Sequence, residues 1–362
     1  MTASNKYLLF TAGPVPISEQ VRSVLSEPII YHRSNEFVEI FNRVTQGLKY
    51  FFQTRHDVMI LTASGTGGME AIVTNLFSPG DKVIIVENGK FSERWSQIAQ
   101  RFNLDVIQIT LDWGKSVHIE LIESAIRQNP GVKGFFLTHC ETSTGALTDL
   151  ETIVPQLRKL TPALLIIDAV SSAGVLPFKM DEWGVDVAVT ASQKGLGLPP
   201  GLTMIALNHR AWQATEQADL PRYYLDFTRA RQALRLHRGS AYSPAIPLIR
   251  AADVVLKAIQ HTGLENIWQE RRQIAANFRS QLVQSGASIF PDTPADSLTV
   301  IEINEPWHAQ ELIDKLRDQF GIIVSRGQGI LHNKVIRIGH LVNIGETELN
   351  QFLDAFKSLT QS

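Results

Sequence analysis

The chain has 362 residues, with 34 basic against 36 acidic side chains, a formal net charge of −2 and 44% hydrophobic residues. That length is too great for one small core and fits a large α/β domain, alone or with a smaller one, while the near-balance of charge leaves no electrostatic footprint for nucleic acid or an anionic membrane surface. A single cysteine, Cys140, excludes an internal disulfide and any cysteine-based zinc cluster.

No basic start followed by a long apolar core opens the sequence, and no apolar run approaches the ~20 residues that cross a bilayer. A cytoplasmic protein without a membrane span is therefore expected. After an N-terminal segment, 1–19, short β-branched runs recur through a region taken as 20–245. They are "DVMIL" (57–61), "KVIIV" (82–86), "DVIQI" (105–109), "GFFLT" (134–138), "ALLIID" (163–168), "VAVTAS" (187–192) and "TMIAL" (203–207). Stretches of helical period lie between most of them, at 67–77, 91–102 and 121–129. Strands alternating with helices, several apolar on both faces, predict a mostly parallel sheet covered by helices, and ligands of such sheets bind beyond the carboxyl ends of the strands.

From about residue 246 the pattern changes. A long helical stretch with a break at "HTGLEN" (261–266) leads into the strands 298–303, 321–325 and 335–340 and the helices 308–320 and 345–359. This predicts a smaller C-terminal α+β domain over 246–362, entered through a long linking helix.

The residues that follow the strands of the large domain carry the chemistry. After 57–61 comes "TASGTGGMEA": Ser64, Gly65 and Thr66, with Gly67 and Gly68, and then a helix. Small residues let backbone N–H groups approach an anion, and the helix terminus adds about half a positive charge; a plain tight turn explains the same residues equally well. Two other motifs fail. "GKS" at 114–116 has Ile109 where the leading glycine of a P-loop belongs, and a serine-hydrolase elbow would need glycine where Thr62 stands. Asp168 closes an apolar run and Lys194 follows the next one, so parallel strands put both on one rim. A lysine among apolar neighbours is costly if it stays charged and idle. An anion cradle, a buried aspartate and a strand-terminal lysine are the parts that pyridoxal 5′-phosphate requires: the lysine condenses with the aldehyde and later moves a proton, and the aspartate keeps the pyridine nitrogen protonated.

The ordered set "GPVP" (13–16), "HRS" (32–34), "SGTGGMEA" (64–71), "NGKFSERW" (88–95), "THCETSTG" (138–145), "DAVSSAG" (168–174), "SQKGLGLPPG" (192–201) and "VIRIGH" (335–340) resembles a class V aminotransferase, nearest to the alanine–glyoxylate and serine–glyoxylate (serine–pyruvate) group. The resemblance runs over nearly the whole chain. It implies a fold-type-I α/β architecture and a homodimer whose active sites are shared between subunits. It makes Lys194 the Schiff-base lysine and Asp168 the partner of the ring nitrogen, with Ser64, Gly65, Thr66 and Gln193 on the phosphate. It stacks Phe91 on one face of the cofactor and Val170 on the other, gives the phenolic oxygen to Thr142, and sends Tyr242 and Ser243 to the neighbouring subunit's phosphate. Arg337 becomes the clamp for the substrate α-carboxylate, a task suited to a planar, bidentate guanidinium. Arg33 is read either as lying near the pocket or, with His32, as an interface residue, His139 is read as packing beside a strand end, and no metal is expected.

The implied reaction is ping-pong transfer of an amino group from alanine or serine to glyoxylate or pyruvate. Other donors (aspartate, ureidoglycine or an aminophosphonate) stay open, because "FTAGPVP" departs from relatives at the substrate mouth. A cysteine desulfurase or lyase would need a reactive cysteine on a mobile loop of the second domain, and none follows Cys140. A non-catalytic regulatory protein on the same scaffold would be expected to lose at least one of Lys194, Asp168 and Arg337.

Overall fold

In the computed structural model, residues 7–236 and 239–360 are described. Seven strands form the larger sheet in the spatial order Asp57–Leu61, Thr203–Leu207, Val187–Ala191, Leu164–Asp168, Gly134–Thr138, Lys82–Glu87 and Asp105–Thr110. Thr203–Leu207 is antiparallel to both its neighbours, and all the other pairings are parallel. Six strands consequently point the same way and end on one rim. The four strands from Gly134–Thr138 to Thr203–Leu207 are buried at every position, which is why they read as unbroken apolar runs rather than alternating ones.

Alternate residues feed two separate cores. Phe135, Leu165 and Ile167 face a layer that includes Phe37, Leu48 and Phe51 of the helix Asn35–Phe52. Phe136 and Ile166 face the other layer, with Met69 and Ile72 of the helix Gly65–Leu76 and Trp95 of the helix Lys90–Arg101. The sheet is thus covered on both sides, as a period-2 split of a doubly apolar run requires.

The linking helix, Ile246–Thr262, lies against Asn35–Phe52, and its buried Ile249, Ala252 and Leu256 belong to the first of those cores. Gly263, at φ +84°, both ends it and starts the helix Leu264–Gln284, within the break anticipated at 261–266. The second sheet has the order Leu8–Phe10, Ile322–Arg326, Val335–Gly339, Leu298–Glu302, Ser288–Ile289. Its outer strand Leu8–Phe10 comes from the N-terminal segment and pairs in parallel with Ile322–Arg326. Backbone bonds tie this unit to the large sheet's loops: Asp292 N donates to Gly114 O (2.9 Å), Leu147 N to Thr293 O (2.8 Å) and Ala295 N to Gly145 O (2.9 Å). Among the described residues no helix is long and apolar enough to cross a membrane.

Candidate active site

The rim where the parallel strands end collects the loops singled out in the sequence. Past Asp57–Leu61 the chain turns at Ser64, whose extended backbone makes it the N-cap of Gly65–Leu76. A capping serine ordinarily accepts from an amide of its own first turn; Ser64 does not, so its hydroxyl and the leading amides are available to a ligand.

Past Lys82–Glu87, the helix Lys90–Arg101 begins with Phe91 in its first turn. Its start is fixed from a neighbouring strand end by Glu141, which is fully buried. The Glu141 carboxylate accepts from Phe91 N (3.0 Å), Ser92 N (2.8 Å), Ser143 N (3.0 Å) and Ser143 Oγ (2.6 Å). The approach is so close that a Cβ at Gly89 would fall 2.3 Å from Glu141 Cγ, so only glycine fits there.

Asp168 is the last residue of its strand, and its Oδ1 accepts from Val170 N at 2.9 Å. Burial pushes its carboxyl up to about 6. The adjacent strand, Val187–Ala191, leads into a turn closed on itself, with Leu202 N donating to Ser192 Oγ (3.1 Å) and Ser192 Oγ to Pro199 O (2.7 Å). This turn projects Lys194 inward, where Nζ donates to Ala12 O. Burial lowers its ammonium to about 8, which makes a free amine accessible near neutral pH. Gly13, at φ +112°, packs on the same side chain, and a Cβ there would lie 2.5 Å from Lys194 Cε and 2.8 Å from Nζ.

One cavity, about 480 Å³ with its mouth, is lined by Ser64, Gly65, Thr66, Phe91, Thr142, Asp168, Val170, Gln193 and Lys194, and also by Met69, Arg94, Cys140 and Ser171. Gln193 Oε1 is buried without a partner, and Thr142 Oγ1 shares a hydrogen bond with Ser171 Oγ. Arg94 and Ser171 had no role in the sequence reading. Arg94 sits three residues after Phe91, on the same face of the helix. Its guanidinium lies 4.9 Å from the Phe91 ring centroid and its Nη1 donates to Thr66 Oγ1 at 3.0 Å.

Arg337 stands behind Thr142 rather than on the cavity wall. It is buried on the strand Val335–Gly339, with Nε on Arg326 O (2.9 Å) and Nη1 on Thr142 O (3.0 Å). Burial lowers its guanidinium to about 10, against the raising pull of Glu141. Tyr242 and Ser243 are not brought to this cavity. They line a separate groove with Phe41, Met59, Thr62 and Tyr224, where Tyr242 OH donates to Tyr223 O at 3.1 Å and Arg33 Nη1 donates to Ser240 O at 2.7 Å.

Cys140 is buried with Sγ 3.3 Å from Ser297 Oγ, and burial pushes its thiol up to about 12. His139 is held down to about 3 by burial, its ring against Phe178 and Trp183. Among the described residues no group of three or more His, Cys, Asp or Glu could hold a metal ion.

Residues 18–348 match the family described as aminotransferase class-V. The L-aspartate–glyoxylate aminotransferase of Paracoccus denitrificans is 35% identical over 94% of this chain and 87% of its own length. A protein named soluble hydrogenase, small subunit, from Synechococcus sp. is 33% identical over 98% of this chain and 93% of its own. Among solved structures, an alanine–glyoxylate aminotransferase from Nostoc sp. superposes with a TM-score of 0.94 at 28% identity, covering 99% of this chain and 96% of that one.

Proposed function

The chain belongs to the class-V aminotransferases, and on that premise we propose that it moves the amino group of alanine or serine to glyoxylate or pyruvate, in two half-reactions at the cavity around Lys194. It is an aminotransferase whose cofactor is pyridoxal phosphate. The residues present fit that group. The hydroxyl of Ser64 is not spent on its own helix, Gln193 carries a buried oxygen with no partner, and a buried carboxyl and a buried amine line one pocket.

In this reading Ser64, Gly65, Thr66 and Gln193 hold the phosphate, Phe91 and Val170 flank the ring, Thr142 holds the phenolic oxygen, and Asp168 faces the ring nitrogen. When bound, the cofactor supplies a conjugated electron sink for the pair left behind as the donor's α-proton departs. Lys194 Nζ, with its pKa lowered by burial, is the base that takes that proton and later returns it. Phe91 and Val170 exclude water from the reacting faces. The two subunits of a cytoplasmic homodimer would share the site, with Tyr242 and Ser243 reaching the partner's phosphate end.

The observation that supports an amino-acid or 2-oxo-acid substrate is Arg337, which stands just behind the cavity-lining Thr142. It is a buried guanidinium anchored by two backbone carbonyls, and no carboxylate among the described residues pairs with it. A buried cation in that state favours a bidentate carboxylate ligand, the common feature of amino and 2-oxo acids. No second carboxylate clamp was evident in the sequence, which favours an uncharged donor. The name of the Paracoccus relative supports aspartate as a second reading.

A half-reaction panel tests the assignment: the cofactor's absorbance is followed with alanine, serine, glycine, aspartate, glutamate and an aminophosphonate in turn. Fast conversion with alanine or serine is expected, and rapid reaction with aspartate or glutamate would replace the small-donor reading with the acidic one.

A further inference from the structure

Arg94 is a cation whose position calls for a ligand. It lines the cavity at the end formed by Ser64, Gly65 and Thr66, and its Nη1 donates to Thr66 Oγ1 at 3.0 Å. Among the described residues no carboxylate pairs with it. Its helix neighbour Glu93 is engaged by Lys90 instead, at 2.6 Å. Among the described residues the only other cation on the cavity wall is Lys194, whose Nζ donates to Ala12 O. The hydroxyls, amides and amide side chain at the Ser64 end offer hydrogen bonds but no full positive charge, whereas a phosphate monoester carries close to two negative charges at neutral pH.

We propose that Arg94 binds the phosphate of the cofactor, completing the cradle of Ser64, Gly65 and Thr66 with the one full charge it lacks. This rests on the pyridoxal phosphate reading above and adds a residue to it. The Thr66 hydroxyl serves as the hinge of the arrangement: the bond from Arg94 aims its lone pair at the guanidinium and leaves its proton for a phosphate oxygen. The Phe91 ring under the guanidinium restricts its swing at 4.9 Å, so less rotamer freedom is lost on binding.

The test separates the phosphate from the ring. Cofactor-stripped protein, as wild type, Arg94→Met and Arg94→Lys, is titrated with pyridoxal phosphate and with pyridoxal, and binding is read from absorbance. A charge-assisted hydrogen bond predicts that Arg94→Met weakens pyridoxal phosphate on the order of tenfold to a hundredfold. Pyridoxal should bind unchanged, and Arg94→Lys should recover part of the loss. Inorganic phosphate, a competitor of pyridoxal phosphate in the wild type, should compete more weakly in the Met variant. An equal loss for both compounds would overturn the proposal in favour of a role through Phe91. Undiminished pyridoxal phosphate affinity, with turnover lost for aspartate alone, would overturn it in favour of a substrate-binding cation. A wild type that bound neither compound would instead strike the cofactor reading beneath it.

Discussion

Asp168→Asn in the cofactor-free protein should trade function for stability. Burial raises the Asp168 carboxyl from an ordinary 3.8 to about 6, a gap equivalent to roughly 3 kcal/mol against the ionised form. A carboxyl that holds its proton more tightly when folded withdraws stability as pH rises. The cost is absent below about pH 4, grows up to about pH 6, and is fully present above that. Asparagine cannot ionise and keeps an oxygen for Val170 N, which Asp168 Oδ1 accepts at 2.9 Å. The stripped variant should therefore exceed the wild type by about 3 kcal/mol at pH 7.5, with the difference shrinking toward zero near pH 4. Urea unfolding of both proteins at pH 4.5, 6 and 7.5 measures this, while the loaded variant should lose most of its turnover. A difference independent of pH, or a wild type more stable at pH 7.5, would refute the reasoning, because it would mean that attraction to Lys194 outweighs desolvation.

Three further outcomes follow from the same site. Gly13→Ala puts a Cβ 2.5 Å from Lys194 Cε on a backbone at φ +112°, so it should cost about 1–2 kcal/mol in backbone strain and displace the amine; cofactor uptake at the wild-type rate would contradict this. Glu141→Ala strands the amides of Phe91, Ser92 and Ser143 and should lower stability by about 3 kcal/mol or more, with Glu141→Gln less damaging; the shift in denaturation midpoint reads it directly. Cys140, buried with its thiol pushed up to about 12, should resist alkylation in the native protein and react only on unfolding; one equivalent of label on folded protein at pH 7.5 would disprove that.

Lys194 and Asp168 were legible because a charge that closes an apolar strand stands out without knowledge of its neighbours. The buried strands were equally plain, apart from a residue or so at their ends. The helix after Ser64 was expected from residue 67 and starts at Gly65, since a glycine-rich opening has weak helix propensity and is held by the surrounding fold. Arg94 escaped notice because an arginine on an amphipathic helix reads as a solvated face. Only the spacing from Phe91 hinted otherwise. Glu141 was visible inside "THCETSTG", but its role depends on a helix start 49 residues away in sequence. Leu8–Phe10 was not recognised as a strand: three residues carry no periodicity, and its partner lies near the other end of the chain.

That partnership affects how the protein is made. Ala12 N donates to Ser325 Oγ across 313 positions of sequence at 3.1 Å, and the carbonyl of the same residue receives Lys194. A ribosome extrudes the first of these residues long before the second exists, so the second sheet gains its outer strand only after Ser325 has been made. Until then the nascent chain exposes an unprotected strand edge.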